Sequence, residues 1–123
     1  MEDAYKSKLL NNWEDVFRQG LLTFWLYIVL SEQEMDVGNI KKQIEHLTNS
    51  SYSAAEQTLY RVLRKQYDLE LVDYREVPSV NGPKKKLYSL SNFGRQLLKD
   101  FAERNISLFL QPKVKKLIKG GRK

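Results

Sequence analysis

The stretch from Asn49 to Ser91, NSSYSAAEQTLYRVLRKQYDLELVDYREVPSVNGPKKKLYSLS, constrains the fold more than any other part of the chain. A polar, turn-prone start (Asn49, Ser50, Ser51) leads into a helical pattern. That pattern runs into an alternating strand, a Pro/Gly turn loaded with lysines, and a second short strand. A short helix followed at once by a basic hairpin has the form of a winged helix. The rest of the chain then reads as the platform that holds this unit.

The helix, expected over residues 53–66, can be placed by angle at about 100° per residue. Ala55, Leu59, Val62 and Leu63 fall on one narrow face, and Ser53, Gln57, Tyr60, Arg61 and Arg64 on the opposite one. The inward set is apolar, while the outward set consists of hydrogen-bond donors and cations. Glu56, the helix's only acid, sits on the flank. Such a face is either an ordinary solvated surface or a surface that reads nucleic acid.

Upstream, residues 1–10 form a polar start. From Leu10 to Leu30 the spacing of Trp13, Val16, Phe17, Leu21, Phe24, Trp25 and Ile28 predicts one helix. Its segment LLTFWLYIVL is apolar all round but too short to span a bilayer, which points to a core helix or one half-buried in a subunit interface. The aromatics at this spacing are core residues or, as the alternative, the lining of a ligand pocket. Asp36 is a candidate N-cap for a short amphipathic helix carrying Ile40, Ile44 and Leu47. His46, the only histidine, has no spaced partner for metal ligation.

Downstream, Leu69–Val77 reads as a strand and Pro78, Asn81, Gly82 and Pro83 as the turn. A second strand follows at Lys85–Leu90. Lys84, Lys85 and Lys86 sit at the hairpin's tip end, either as a solubilising loop or as a clamp on phosphates. Ser91 is a candidate N-cap for a last helix with Phe93, Leu97, Leu98, Phe101 and Ala102 on its apolar side. Ile106, Phe109 and Leu110 extend that pattern to Pro112, the expected stop. Residues 111–123 form a basic tail, a frayed arm or a short surface helix.

With 123 residues and no repeat or linker, the chain is expected to be one domain, 1–123. The absence of cysteine excludes disulfides, thiolate metal sites and Cys–His chemistry, and suits a cytoplasmic protein. The start MEDAYKSKLL is too charged for a secretory signal. One histidine and no glycine-rich phosphate loop leave no catalytic constellation, so neither an enzyme nor a cofactor is expected. Residues 1–50 carry five Lys/Arg against eight Asp/Glu, and residues 51–123 carry sixteen against seven. The basic excess therefore coincides with the helix and hairpin and with the tail. Phosphate-rich partners fit this asymmetry through counterion release, although an anionic membrane surface would produce the same bias.

The run TLYRVLRKQYDLELV (58–72) resembles the TLYxLLxRLExxGLV signature of PadR-type transcriptional regulators. NGPKKKLYSLSNFGRQLL (81–98) is similar to that family's GxxRKYYxLTxxGxxxL wing and final helix. Gln66, Tyr67 and Glu70 stand where the pattern has leucine, an acid and glycine. The likeness covers roughly residues 12–110. It implies a homodimeric repressor on inverted-repeat DNA, whose last helix packs against the partner's N-terminal region. Some members of that family also take aromatic effectors at the dimer interface.

The expected fold is α+β and mostly helical: a winged helix-turn-helix over 10–90, made of three helices and a two-stranded wing, with a dimerisation helix at 91–110. The expected function is sequence-specific DNA binding, with a protein-interaction module as the alternative. Ser53, Gln57 and Arg61 are the candidates for base edges. Ser51, Tyr60, Arg64 and Lys84, Lys85 and Lys86 are the candidates for phosphates. Trp13, Phe17, Trp25, Leu97 and Phe101 are expected at the dimer interface or in an effector pocket. The expected partners are double-stranded DNA, a second copy and a small aromatic effector, with no membrane.

Overall fold

The computed structural model describes residues 2–120, so Met1 and the tail residues 121–123 lie outside the described residues. Its elements in order are α1 (Glu2–Gln19), α2 (Leu22–Glu32), α3 (Val37–Leu47), α4 (Glu56–Asp68), β1 (Val72–Val77), β2 (Lys85–Leu90), α5 (Asn92–Arg104), a 3₁₀ turn (Ile106–Leu110) and α6 (Pro112–Gly120). The central three-helix unit α2–α3–α4 followed by a two-stranded antiparallel sheet is the expected winged helix-turn-helix. No helix among the described residues is long and apolar enough to cross a membrane.

Being apolar on every side, α2 becomes the hub. It buries Leu22, Leu26, Tyr27, Val29 and Leu30 and packs on α3, α5 and β2. Val37, Ile40 and Ile44 of α3, Leu59 and Leu63 of α4, and Leu71, Val72, Tyr88 and Leu90 at the sheet complete the core. Each such large side chain taken from water contributes about 1.5–3 kcal/mol before the entropy of ordering it is counted.

The single helix expected over 10–30 is two. Gly20 and Leu21 form a turn, closed by the Leu21 N–H to the Arg18 carbonyl at 3.0 Å. The 3–4 spacing runs through the break because the apolar stripe of α1 leads directly into the all-round apolar α2, but glycine disfavours a helix interior by about 1 kcal/mol. The break separates two environments. The apolar stripe of α1 (Tyr5, Leu9, Leu10, Trp13, Val16, Phe17) is exposed, whereas that of α2 is buried.

The other boundaries shift by a few residues. Asp36 caps α3, accepting the Asn39 N–H at 2.9 Å, and Ser91 caps α5, accepting the Gly94 N–H at 3.0 Å. The helix expected over 53–66 starts at Glu56, after the extended Ala55, and reaches Asp68. It ends in a Schellman arrangement: the Leu71 N–H bonds the Gln66 carbonyl and the Glu70 N–H the Tyr67 carbonyl, both at 2.9 Å. The strand therefore begins at Val72 rather than Leu69. Downstream, α5 ends at Arg104, so residues 91–110 are not one helix. Pro112 opens α6, at the first-turn position where its missing N–H is harmless. The described part of the tail thus includes a short surface helix.

In the wing, Val72 pairs with Leu90, Tyr74 with Tyr88, Glu76 with Lys86 and Val77 with Lys85. Met35, in the link between α2 and α3, exchanges backbone hydrogen bonds with Tyr88 at 3.0 and 2.9 Å and so closes the other edge of β2. Gly94 lets α5 approach this sheet. A Cβ there would stand 2.3 Å from the Leu71 carbonyl oxygen and 2.8 Å from Leu90 Cδ1.

Candidate nucleic-acid interface

Two elements make the surface, α4 and the wing. Leu59 and Leu63 are fully buried on the inner side of α4, which leaves Gln57, Tyr60, Arg61 and Arg64 exposed on the outer side. Among the described residues, none of Gln57, Tyr60 and Arg64 is held by a side-chain hydrogen bond, and Arg61 makes one long contact, 3.5 Å to Thr58 Oγ1. Ser53 precedes the helix. Its hydroxyl donates to Glu45 and accepts from Lys41 Nζ at 2.8 Å. Ser51 lies in the turn after α3, exposed. Hydrogen bonds from Lys41 and then Ser53 hold the Glu45 carboxyl below the usual carboxylate range.

The three wing lysines do not act alike. Successive side chains on a strand point to opposite faces, so Lys85 and Lys86 part company. Lys85 Nζ lies 3.3 Å from Asp36 Oδ2, on the side of the α2–α3 link. On the same side Arg75 grips Glu34 in a fork, Nε at 3.0 and 3.1 Å from the two carboxylate oxygens and Nη2 at 2.5 Å from Oε2. Those hydrogen bonds, more than the charge itself, hold the Glu34 carboxyl below its ordinary range. Lys86 turns toward α4 and sits 4.6 Å above the Tyr74 ring. Lys84 precedes the ladder and, among the described residues, is in no ion pair.

Between α4 and the wing lies a groove of about 540 Å³ lined by Tyr60, Arg64, Tyr67, Asp68, Tyr74, Lys86 and Tyr88. Ring centroids stand 4.9 Å apart for Tyr67 and Tyr74 and 5.8 Å for Tyr74 and Tyr88. The structure thus gathers Tyr60, Arg64 and Lys86 around one groove and leaves Ser51, Ser53, Gln57, Arg61, Lys84 and Lys85 outside it. Tyr67 and Tyr74 belong to the groove without being expected there from the sequence. The signal for Tyr74 is period-two alternation, which places it on the face of Lys86 and Tyr88 once the hairpin register is set.

The aromatic candidates separate. Phe17 and Trp25 help line an open cleft of about 430 Å³ with Leu21, Phe24, Tyr52 and Phe109. Leu97 and Phe101 line a smaller cavity of about 100 Å³ with Thr23, Phe24, Tyr27 and Leu98. Phe24 stands between the two, its ring 5.3 Å from Trp25 and 5.8 Å from Phe101. Trp13, 75 % exposed on α1, joins neither. Among the described residues no cluster of His, Asp and Glu fit for a metal ion occurs.

A family model described as the transcriptional regulator PadR-like family matches residues 26–100, more than half of the chain. The chain belongs to the PadR-like family. Solved structures agree with the architecture. A PadR-like transcription factor from Bacteroides fragilis is 25 % identical, with 79 % of this chain and 91 % of that chain covered and a TM-score of 0.64. A PadR family regulator from Eggerthella lenta is 17 % identical, with 94 % and 97 % covered and a TM-score of 0.73. Bacillus subtilis PadR, solved in complex with operator DNA, is 23 % identical, with 66 % of this chain and 46 % of that chain covered and a TM-score of 0.60. No curated protein matches the chain. The PadR-like match runs from α2 into α5, the part that forms the core and the wing.

Proposed function

We propose that this PadR-like chain binds double-stranded DNA as a homodimer and represses transcription, with α4 in the major groove and the wing against the flanking phosphates. The observation that carries the reading is the open outer face of α4, which exposes Gln57, Tyr60, Arg61 and Arg64 and on which Tyr60 and Arg64 share a groove with Lys86 of the wing. Gln57 and Arg61, both exposed, act as the base readers, glutamine for adenine and arginine for guanine. Tyr60, Arg64, Lys84 and Lys86 hold phosphates and so fix register. Ser51 and Ser53 lie at the entry to α4 as lesser contacts, and Lys85 serves mainly to tie the wing to Asp36. A two-fold dimer presents two copies of α4, so the operator is an inverted repeat with half-sites about one helical turn apart.

The experiment separates reading from holding on an operator selected from random duplexes by the purified protein. Gln57→Ala loses about 1–3 kcal/mol on that operator and little on random DNA. Replacing Lys84 and Lys86 by alanine weakens both DNAs alike and flattens the slope of log K against log salt by up to about 0.9 for each phosphate no longer neutralised. Lys85→Ala changes that slope less. If neither set alters DNA binding, the protein-interaction reading takes over. Its supporting observation is the exposed Tyr60, Tyr67 and Tyr74 beside Arg64, a composition typical of binding hot spots.

The cleft beside Trp25 is the site we assign to a small aromatic effector. It adjoins Thr48, Ser51 and Tyr52, the turn that feeds α4. Planar aromatic compounds then quench Trp25 and spare Trp13, so Trp25→Phe abolishes the quenching and Trp13→Phe keeps it. Tryptophan emission unmoved by a panel of such compounds removes the effector.

A further inference from the structure

Apart from the phenols of Tyr27 and Tyr88, Gln66 is the only polar side chain in the core among the described residues, 8 % exposed on the inner face of α4. The hydroxyl of Tyr27, itself 3 % exposed in α2, donates a hydrogen bond to Gln66 Oε1. No fully buried side-chain polar atom among the described residues lacks a partner, and the Tyr27 hydroxyl is the partner of the Gln66 amide oxygen. Burial pushes the Tyr27 phenol up to about 12, which keeps it a hydrogen-bond donor at any physiological pH. Leucine at position 66, as in the PadR-type signature, would fill the same space without any such bond.

The difference lies in direction. Leu59 and Leu63 hold α4 in the core by apolar contact, with α4 packed on α3 and β1, and such contact is non-directional. A buried hydrogen bond has one good geometry and weakens steeply away from it. Gln66 lies about 180° around α4 from Gln57, so the bond is opposite the reading face. With side chains the helix has a radius of about 5–6 Å, so a rotation of about 20° shifts an outward tip by about 2 Å. A shift of that size breaks a hydrogen bond to a base edge. It changes a contact between a flexible lysine and a phosphate far less.

We propose that Tyr27 is a positioning residue for DNA reading, setting the rotation of α4 through its hydrogen bond to Gln66 and with it the preference for operator over random DNA. The inference rests on the DNA-binding function proposed for α4 and the wing. Tyr27 also lines the 100 Å³ cavity with Leu97 and Phe101 of α5. Packing at α5 is thereby one residue away from the reading helix.

The test compares wild type, Tyr27→Phe, and Tyr27→Phe combined with Gln66→Met, each titrated onto selected operator and random duplexes with thermal melting alongside. Methionine keeps the length of glutamine and removes the amide that would otherwise be stranded in the core. Both variants lose about tenfold in the ratio of operator to random affinity, close to 1.4 kcal/mol, with random-DNA affinity and salt slope unchanged. The double variant recovers most of the melting temperature that Tyr27→Phe loses, but not the operator preference. Recovery of preference together with melting temperature overturns the proposal, as does a Tyr27→Phe variant that melts earlier yet keeps full preference. If Tyr27→Phe does not fold, the double variant decides the matter alone. A wild type with no preferred duplex rejects the DNA reading itself, and the positioning role falls with it.

Discussion

Glu70 and Gly94 mark two ends of one problem, how the chain turns between α4, the sheet and α5. Glu70 holds φ +64 at the C′ position of the Schellman turn, where glycine is the usual occupant. The left-handed region disfavours a side chain by about 1–2 kcal/mol, part of which glycine gives back as backbone entropy. Glu70→Gly should therefore raise stability by about 0.5–1 kcal/mol and the melting temperature by roughly 2–5 °C. An unchanged or lower midpoint would show that Glu70 has a compensating partner. Gly94→Ala goes the other way. Its methyl meets the Leu71 carbonyl, which cannot withdraw without loosening the Ser91 N–H bonded to it at 3.1 Å. Calorimetry should show a loss of about 1–3 kcal/mol, and a neutral result would mean that α5 can slide on the sheet.

At the scale of elements, the wing is tethered on one side and stacked on the other. Arg75–Glu34 and Lys85–Asp36 bind it to the α2–α3 link, and Lys86 on Tyr74 leans it toward α4. The tether has a pH signature. Because the folded-state pKa of Glu34 is lowered from 4.5, its contribution is present above that value and is lost as pH falls through the lower folded value. Glu34→Gln should therefore melt earlier than wild type at neutral pH, with the gap closing as pH falls from 4.5 through the lowered folded value. Both groups are solvent-exposed, so the gap is small, and high salt should shrink it. A gap that persists at low pH would assign the effect to packing rather than charge.

The whole molecule carries more apolar surface than one copy can bury. The stripe of α1, Phe93, Leu97 and Phe101 of α5, and Leu108, Phe109 and Leu110 of the 3₁₀ turn are all exposed. Exposed apolar surface on this scale marks an interaction face, and we assign it to a second copy. Sedimentation should give about twice the 14.5 kDa chain mass at micromolar concentration. Leu9→Glu combined with Val16→Glu on α1 should give a monomer that still melts cooperatively, since neither residue belongs to the core. That monomer should lose operator binding far more than random-DNA binding, because one half-site remains. A wild-type monomer would remove the dimer and the inverted repeat together.

By itself, the sequence determined the winged helix, the inward Leu59 and Leu63 of α4 (though not Ala55, expected inward and in fact exposed), the caps at Asp36 and Ser91, and the PadR-like family, each through a pattern that depends only on neighbours along the chain. Periodicity and capping are local, and residues 58–98 carry both the local signals and the family signature. The break at Gly20 was hidden because an apolar stripe that runs straight into an all-round apolar helix reads as one helix. The start of α4 was hidden because Ser53 reads as a helix residue until Lys41 and Glu45, from another helix, engage it. What only the tertiary structure decided are meetings between distant residues: Lys85 with Asp36, Lys86 over Tyr74 beside α4, and Tyr27 with Gln66. Each depends on how helices and hairpin pack in three dimensions, and no spacing along the chain encodes that. Tertiary packing therefore gave three adjacent lysines three different surroundings and, among the described residues, made Gln66, an anomaly in a leucine position, the buried side-chain hydrogen-bond partner of Tyr27.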